Sequence, residues 1–417
     1  MRAVGLIVEY NPFHNGHLYH LRESVKLTSA EAVVAVMSGH FLQRGEPAAM
    51  DKWARTEAAL RGGCDLVIEL PVAYATQAAE WFAYGAVALL EATGVVDAFC
   101  FGSESGELGP LRQAAAAIAE EPPSFRELLQ RELLKGVSYP AAHSTALAGY
   151  LAAEGYEEAA GFPFAEPNHT LGLHYLIALA RLKGRMTPYT IRREKAGYRQ
   201  TSITDNRIAS ATAIRKAWLE EGSIAGLQNY VPPSTYAVMV REAEAGRAPV
   251  SWDSFVPQLI HAIGTRSPQQ LAALSEVTEG LEHRIRQALP KLGAIEFEAL
   301  MDALKTKRYT RTKLQRALLS ILLGHAKADL SPEKLRGGVE YIRVLGFTDK
   351  GKELLRIMRK QAKLPVLLSA ARPPANYRYL ELDTQATVAY RLGQPAPFRT
   401  DELYRDYRGK PVMVSRP

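Results

Sequence analysis

The sequence predicts an α/β fold in which a doubly wound parallel sheet is followed by a mainly α-helical domain. Up to about residue 194, short apolar runs of strand length alternate with helix-like segments, which is typical of βαβ units. After about residue 230 the chain is dominated by Ala, Leu, Glu, Lys and Arg at helical spacing. We therefore expect two domains, residues 1–230 and 231–417.

Composition narrows the class of protein. The chain has 417 residues, 47% of them hydrophobic, which is the globular average and excludes disorder and low-complexity scaffolds. Its two cysteines, Cys64 and Cys100, cannot form a disulfide framework, so a reducing cytoplasm is the expected location. No signal-peptide pattern and no apolar run of membrane-spanning length occurs, and no membrane partner is expected.

Apolar runs bounded by Gly, Pro or Ser predict the strands, and stretches rich in Ala, Leu and Glu predict the helices. The predicted strands cover residues 4–8, 32–39, 65–71, 95–104 and 187–194. The predicted helices of the first domain begin at His17 or cover residues 51–61, 76–93 and 171–183. Those of the second domain cover residues 281–289, 299–305, 313–323 and 350–361.

The turn after the first strand carries the most informative motif, NPFHNGH at residues 11–17. Its histidines, His14 and His17, open a helix, where backbone N–H groups and the positive end of the helix dipole face an anion. Gly16 lets the backbone approach a phosphate, and two imidazoles can donate N–H bonds to the charge that develops in nucleotidyl transfer. A capping pair or a zinc site is the alternative, although no third or fourth zinc ligand can be assigned.

Six motifs in chain order resemble the bacterial tRNA(Met) cytidine acetate ligase family. They are GLIVEYNPFHNGH, MSGHFLQRGEPA, DLVIELP, FGSE, PNHTLG and IASATAIRK, spread over residues 1–217. The segment HNGH is similar to the HxGH signature of the wider nucleotidylyltransferase superfamily, which implies a HUP or Rossmann-like first domain. The sequence has His40 where most members of the family are expected to have Asn, and His169 where members are often expected to have Asn.

The resemblance implies an ATP-dependent ligase. Such enzymes are understood to form acetyl-adenylate from acetate and ATP, and then to acetylate N4 of the wobble cytidine of elongator tRNA(Met), giving N4-acetylcytidine. ATP is then the co-substrate, Mg²⁺ is expected beside it, and acetyl-CoA has no role. His14 and His17 are the implied catalytic pair on the phosphates. The implied ATP-binding residues are Ile7, Val8, Glu9, Tyr10, Asn11, Pro12, Phe13, His14, Asn15, Gly16, His17, Leu18, Tyr19, His20, Gly102, Asn168, Arg193, Ser210, Thr212 and Arg215.

Several of these positions also have a simpler structural interpretation. Gly102 could be a turn glycine, and Asn168 could be a helix N-cap or an Asx turn. Arg193 could be a solvated charge at a strand end. Ser210 could simply be the N-cap of a helix. The resemblance instead implies that its motif, IASATAIRK, contacts the β- and γ-phosphates of ATP.

Four polar residues after the second strand are further candidates. Gln43, Arg44 and Lys52 could face the substrate, while Lys52 and Arg55 could equally form a basic helical face. On sequence alone they rank below the histidines.

The helical domain carries one dense basic stretch, KTKRYTRTKLQR, at residues 305–316. Six of its twelve residues are basic and none is acidic, a composition that suits an RNA backbone, while the interleaved aromatic suits an unpaired base. The net charge of +7 permits such a partner, and a solvated helix face is the alternative. The predicted tRNA contacts are Lys305, Lys307, Arg308, Tyr309, Arg311, Lys313 and Arg316.

Two rival functions stay open on the sequence. A small-molecule adenylyltransferase or a pantothenate-synthetase-like ligase would use the same histidine site but would not need a basic helical domain. A non-catalytic tRNA- or ribosome-binding protein would keep a degenerate nucleotide pocket. The residues that argue against it are the intact His14, Gly16, His17, Ser210 and Arg215. An acetyltransferase that uses acetyl-CoA is disfavoured, because the sequence has an HxGH phosphate motif and no pyrophosphate-binding loop typical of such acetyltransferases.

Overall fold

The structure is a computed structural model that describes residues 1–137, 139–193, 209–306 and 308–415. Within these residues a mixed sheet of eight strands has the order β5-β4-β1-β2-β3-β6-β7, with β8 paired to β6. The strands are β1 (Ala3–Val8), β2 (Ala32–Ser38), β3 (Leu66–Leu70), β4 (Ala98–Ser103), β5 (Thr187–Arg192), β6 (Ile342–Thr348), β7 (Val366–Leu367) and β8 (Val412–Val414).

The first five strands confirm the predicted parallel sheet. β1 lies at its centre and pairs in parallel with both β2 and β4. Every residue of β2 is buried, as expected for a parallel strand covered by helices on both faces. Alternate residues of β2 enter two different cores, with Val34 and Val36 on one face and Val33 and Met37 on the other.

Helices surround the sheet and fill the segments between its strands. In the first part of the chain they are α1 (Asn15–Thr28), α2 (Lys52–Gly62), α3 (Val72–Ala75), α4 (Ala79–Ala92), α5 (Gly109–Glu120), α6 (Pro123–Leu133), α7 (Tyr139–Ala153), α8 (Glu157–Ala160), α9 (Pro167–Arg181) and α10 (Ala211–Glu221). Three short 3₁₀ helices cover Ala225–Leu227, Trp252–Phe255 and Leu289–Lys291.

The later part of the chain contains most of the remaining helices. They are α11 (Pro233–Glu244), α12 (Val256–Gly264), α13 (Pro268–Ala272), α14 (Leu281–Ala288), α15 (Phe297–Leu304), α16 (Arg311–Leu323), α17 (Pro332–Arg336), α18 (Asp349–Gln361), α19 (Arg378–Leu392), α20 (Thr400–Leu403) and α21 (Arg405–Arg408). No helix among the described residues is both long and apolar enough to cross a membrane.

The C-terminal part also returns to the sheet, which the sequence analysis did not foresee. Strand β6 is buried along its whole length and pairs antiparallel with β3. β8 then pairs in parallel with β6. Residues beyond 340 therefore complete the sheet that residues 3–103 begin, and the domain boundary at 230 stays a prediction.

Candidate nucleotide-binding site

A cavity of about 230 Å³ opens beside the carboxyl ends of β1 and β4, where open α/β sheets bind their ligands. The turn after β1, the start of α1 and the N-terminus of α9 form its walls. Thirteen of the residues that the sequence predicted to bind ATP line it: Ile7, Val8, Glu9, Tyr10, His14, Gly16, His17, Tyr19, His20, Gly102, Asn168, Arg193 and Ser210.

The other predicted ATP residues do not line this cavity. They are Asn11, Pro12, Phe13, Asn15, Leu18, Thr212 and Arg215. Several of them fix the turn: Asn11 Oδ1 accepts a hydrogen bond from the Ala49 amide at 2.8 Å, and Asn15 Nδ2 donates to the Asn229 carbonyl at 2.8 Å. These two bonds hold the turn between β1 and α1 in place.

His14 is the N-cap of α1, and its imidazole Nδ1 accepts a hydrogen bond from the Gly16 amide at 3.0 Å. That bond fixes the tautomer, so the His14 proton resides on Nε2. The His17 ring lies next to it, with ring centroids 3.8 Å apart. The capping role predicted as an alternative is therefore present, and it leaves the His14 N–H available to a ligand.

The histidines on the wall are neutral at pH 7. Burial, and then the positive charges of Arg193 and Arg215, lower the pKa of His14 to about 3. Burial and the neighbouring His14 hold the pKa of His17 well below its usual range. Burial and Arg193 lower the pKa of His20 to about 4. The site can thus offer neutral N–H donors to an anion, with the arginines supplying the positive charge.

Gly102 lies within β4, so its interpretation as a turn glycine is wrong. A Cβ at this position would lie 3.2 Å from Cγ of Arg193, a contact closer than side chains normally make. The Arg193 amide in turn donates to the Ser103 carbonyl at 2.9 Å. Glycine therefore allows the Arg193 side chain to cross the edge of β4 beside the cavity.

The N-cap interpretation of Asn168 is also wrong, because α9 begins at Pro167 and its N-cap is Glu166. The backbone N–H and the Nδ2 of Asn168 donate to Oε1 of Glu104, at 3.0 and 2.7 Å. The His169 amide donates to Oε2 of the same carboxylate at 2.9 Å. Partial burial acts to raise the pKa of Glu104, but the hydrogen bonds from Asn168 outweigh it and hold the pKa below its usual range.

Glu104 was not among the residues predicted to bind ATP, although the FGSE segment that contains it is part of the resemblance. With its Nδ2 held by Glu104, the Asn168 amide turns its oxygen away from that carboxylate, and Asn168 lines the cavity. The arrangement offers a fixed acceptor to a ligand hydroxyl or amine.

His40 and His169, the two histidines at positions where the resemblance implies Asn, are both buried and do not line the cavity. His169 accepts from the Ser105 amide at 3.0 Å through Nε2 and donates to the Pro163 carbonyl at 2.9 Å through Nδ1. His40 stacks on Tyr390 with ring centroids 4.4 Å apart. Both positions support the surrounding loops.

The four polar candidates after β2 divide into two pairs. Gln43 and Arg44 line the cavity, as the sequence analysis considered. Lys52 and Arg55 are fully buried and do not line it, so neither faces the substrate nor forms a solvated helix face. Four apolar or aromatic residues that line the cavity were not predicted from the sequence, because such side chains are typical of a protein core. They are Phe82, Phe101, Leu171 and Tyr175.

Ser210 caps α10, as one of its two interpretations predicted, and its Oγ accepts from the Ala213 amide at 3.1 Å. It also lines the cavity. Arg215, one turn further along α10, donates from Nη1 to the Asn11 carbonyl at 2.9 Å. Helix α10 is thereby attached to the turn that carries His14. Ile208, the first residue of this motif, lies outside the described residues.

The basic stretch 305–316 is less available to RNA than its sequence indicates. Tyr309 is only 7% exposed, and its hydroxyl donates to the Glu279 carbonyl at 2.8 Å, so its ring is not open to a stacking base in this structure. Lys307 lies outside the described residues. Four of the cations have carboxylate partners, in the pairs Arg308–Glu279, Arg311–Glu298, Lys313–Glu276 and Arg316–Glu276. Contact of this stretch with tRNA stays a prediction.

The fold and the cavity define an α/β protein with a nucleotide-type site at a helix N-terminus, and comparisons with known proteins narrow this class. Residues 1–404 match the family model described as HIGH Nucleotidyl Transferase. A tRNA(Met) cytidine acetate ligase from Acetivibrio thermocellus is 42% identical over 94% of each chain. A protein of the same name from Halalkalibacterium halodurans is 40% identical over 99% of this chain and 98% of its own.

Solved structures agree with these sequence relatives. The crystal structure of Thermotoga maritima TmcAL without ligand has a TM-score of 0.90 at 34% identity, and both chains are covered completely. The same protein bound with alpha-thio ATP has a TM-score of 0.88. The chain therefore belongs to the HIGH nucleotidyl transferases and, within them, to the tRNA(Met) cytidine acetate ligase family, a family of enzymes of the ligase class.

Proposed function

We propose that this protein activates acetate with ATP to form acetyl-adenylate and diphosphate. It then transfers the acetyl group to N4 of the wobble cytidine of elongator tRNA(Met), giving N4-acetylcytidine, without acetyl-CoA. The observation that carries the proposal is the pair of neutral imidazoles, His14 and His17, at the start of α1 on the wall of the cavity. It is supported by the TmcAL structure bound with alpha-thio ATP, which has the same fold.

In this proposal the ATP phosphates lie against the N-terminus of α1. His14 donates its Nε2–H to a phosphate oxygen, and the backbone at Gly16 approaches the same group. Arg193, at the cavity edge, contributes positive charge next to the histidines. Asn168 accepts from a hydroxyl or amine of the nucleoside. Ser210, which also lines the cavity, contributes a hydroxyl to the phosphates.

The first half-reaction is a displacement at the α-phosphorus. An acetate oxygen attacks this atom, the bond between the α-phosphorus and the bridging oxygen breaks, and diphosphate leaves with the electron pair. Negative charge grows on the departing oxygens, and preorganised N–H donors stabilise it more than they stabilise bound ATP. No covalent bond to the protein is needed, because positioning and electrostatics carry the step.

The second half-reaction is an acyl transfer. The exocyclic N4 amine of the cytidine attacks the carbonyl carbon of acetyl-adenylate, and the bond from that carbon to the phosphate oxygen breaks. AMP leaves with the electron pair, and the amine gives up one proton. The resulting amide is N4-acetylcytidine.

Mg²⁺ would accompany ATP as the counter-ion of its phosphates and would neutralise part of the charge that develops on diphosphate. Within the described residues no group of three or more His, Cys, Asp or Glu side chains is placed to hold a metal ion. We therefore assign no protein ligand to Mg²⁺ and derive no step through it.

The first half-reaction, the adenylation of acetate, is tested by measuring acetate-dependent exchange of labelled diphosphate into ATP in the absence of tRNA. The proposal predicts exchange that requires acetate and is lost in the His14→Ala variant. The exposed His283→Ala variant is the matched control and should exchange at the wild-type rate. Exchange that proceeds equally without acetate, or equally in His14→Ala, would contradict the assignment.

A further inference from the structure

The C-terminal residues present an exposed surface that the proposed function leaves unused. We define the C-terminal patch as Tyr404, Arg405, Tyr407, Arg408 and Lys410. Tyr404 and Tyr407 are 44% and 42% exposed, and their ring centroids lie 6.4 Å apart. Two accessible aromatic rings at this spacing are a surface on which unpaired bases can stack.

The solvent side of the patch is cationic, although its segment also contains acids. Arg408 and Lys410 are exposed, and neither has a carboxylate partner among the described residues. Arg405 lies over the Trp53 ring, 4.2 Å from its centroid. The neighbouring acids are engaged elsewhere: Asp406 bonds buried Lys52, Glu402 bonds Arg391, and Asp401 bonds Arg399.

The patch contrasts with the basic stretch 305–316. That stretch is denser in charge by sequence, but four of its cations are paired with carboxylates and Tyr309 is buried. Paired cations release fewer counter-ions when they meet a phosphate backbone, so they contribute less to RNA affinity. A buried ring contributes no stacking.

The segment that carries the patch is anchored to the protein at Asp406 and Tyr407. Asp406, in the middle of its segment, accepts from Lys52 Nζ at 2.9 Å in the protein interior. The Tyr407 hydroxyl bonds the Thr384 hydroxyl at 3.2 Å, and the Tyr407 carbonyl accepts from Ser369 Oγ at 3.1 Å. A surface ordered before binding loses less conformational entropy when its ligand arrives.

A short segment links the patch to the nucleotide cavity. Ala49 donates its amide to Asn11 Oδ1 in the turn before His14, and three residues later Lys52 bonds Asp406. A second cavity of about 300 Å³, lined in part by Trp53 and Arg405, lies between the patch and α11. Residues 49–52 and one buried ion pair therefore connect the patch to the turn that carries His14.

We propose that the C-terminal patch binds a single-stranded segment of the RNA substrate, with bases on Tyr404 and Tyr407 and backbone phosphates on Arg408 and Lys410. The inference rests on the proposed function for its substrate, elongator tRNA(Met). The main RNA contact is thereby assigned to residues 404–410 rather than to residues 305–316, which the sequence predicted.

The test is filter binding of elongator tRNA(Met) to the full chain at several salt concentrations. The double variant Arg408→Gln/Lys410→Gln should bind at least about tenfold more weakly at low salt, and the slope of log K against log salt should fall by about 1.4, near 0.7 for each lost phosphate contact on a single strand. The matched control is Lys305→Gln/Arg308→Gln, which removes two cations from the other stretch and should change affinity less than about twofold.

Stacking is tested separately with Tyr404. Tyr404→Ala should weaken tRNA binding by about tenfold, and Tyr404→Phe, which keeps the ring, should bind like the wild type. Equal affinities for both variants would overturn the stacking role. A loss of binding in the 305–316 control, together with wild-type binding in the patch variant, would overturn the inference.

Diphosphate exchange separates this inference from the proposed function, because it needs no tRNA. Patch variants that exchange normally and bind tRNA weakly support the inference. A wild-type protein that binds tRNA through the patch but shows no acetate-dependent exchange would support the inference and overturn the proposed function. A wild-type protein that exchanges but does not bind tRNA would overturn the inference and leave the adenylation step standing.

Discussion

Lys52 Nζ lies 2.9 Å from Asp406 Oδ1, across 354 positions of sequence, and both side chains are buried. The same ammonium donates to both carboxylate oxygens of Glu69, at 2.7 and 3.0 Å. Burial acts to lower the pKa of Lys52, but Asp406 and Glu69 outweigh it and raise the pKa above its usual value. One lysine thus joins α2, β3 and α21.

Replacing Lys52 should destabilise the fold strongly. We expect Lys52→Met to lower the free energy of unfolding by about 3–5 kcal/mol, because Glu69 and Asp406 would lose their shared buried counter-charge. Urea unfolding measures the change. Lys26→Met is the control: Lys26 is 80% exposed and 3.8 Å from Glu23, so its loss should cost less than about 1 kcal/mol. Equal stability of the two variants would contradict the account.

Removing either histidine of the pair should disable acetate activation. We expect His17→Ala to lower the rate of diphosphate exchange by about 10²–10³, the cost of losing one preorganised donor to developing charge. Binding of tRNA should be nearly unchanged, because the C-terminal patch lies on other elements. A variant that activated acetate at the wild-type rate would rule out the phosphate role of His17.

Glu104 should act on ATP through Asn168. In Glu104→Gln an amide NH₂ can replace one acceptor oxygen opposite the Asn168 donors, and the Asn168 side chain would lose its fixed orientation. We expect KM for ATP to rise about tenfold, the equivalent of one hydrogen bond to a charged group, with a smaller change in kcat. Glu107→Gln, at an exposed site of the same loop, should leave both constants unchanged. A fall in kcat alone would point to a different role.

His40 should make the fold sensitive to acid. Burial and nearby Lys52 hold its pKa well below the usual 6.5, so below pH 6.5 the unfolded chain takes up a proton that the folded protein does not. The stability is complete above pH 6.5 and falls as the pH is lowered, by up to about 1.4 kcal/mol per pH unit from this one residue. His40→Asn should reduce that slope between pH 6.5 and 4.5, measured by urea unfolding at several pH values. The exposed His283→Asn variant should keep the wild-type slope.

The sequence predicted the parallel half of the sheet because its strands are contiguous apolar runs separated by helices. It missed β6, because the pairing of β6 with β3 joins Leu66 to Phe347 and no local pattern records so distant a partner. The HNGH motif could be recognised from the sequence because its residues are adjacent in the chain.

Other parts of the site depend on contacts between distant residues. Glu104 meets Asn168 across 64 positions, and Lys52 meets Asp406 across 354. From the local sequence Lys52 looks like a surface or substrate-facing charge, and Tyr309 looks like an exposed aromatic in a basic stretch. Both are buried, because burial is decided by the elements that pack over them.

The proposed function is tested most directly by incubating the purified protein with ATP, labelled acetate and elongator tRNA(Met), followed by mass spectrometry of the tRNA nucleosides. We expect label in N4-acetylcytidine at the wobble position, dependent on ATP and unaffected by the absence of acetyl-CoA. Absence of labelled N4-acetylcytidine with a verified cognate tRNA, or label that requires acetyl-CoA, would contradict it.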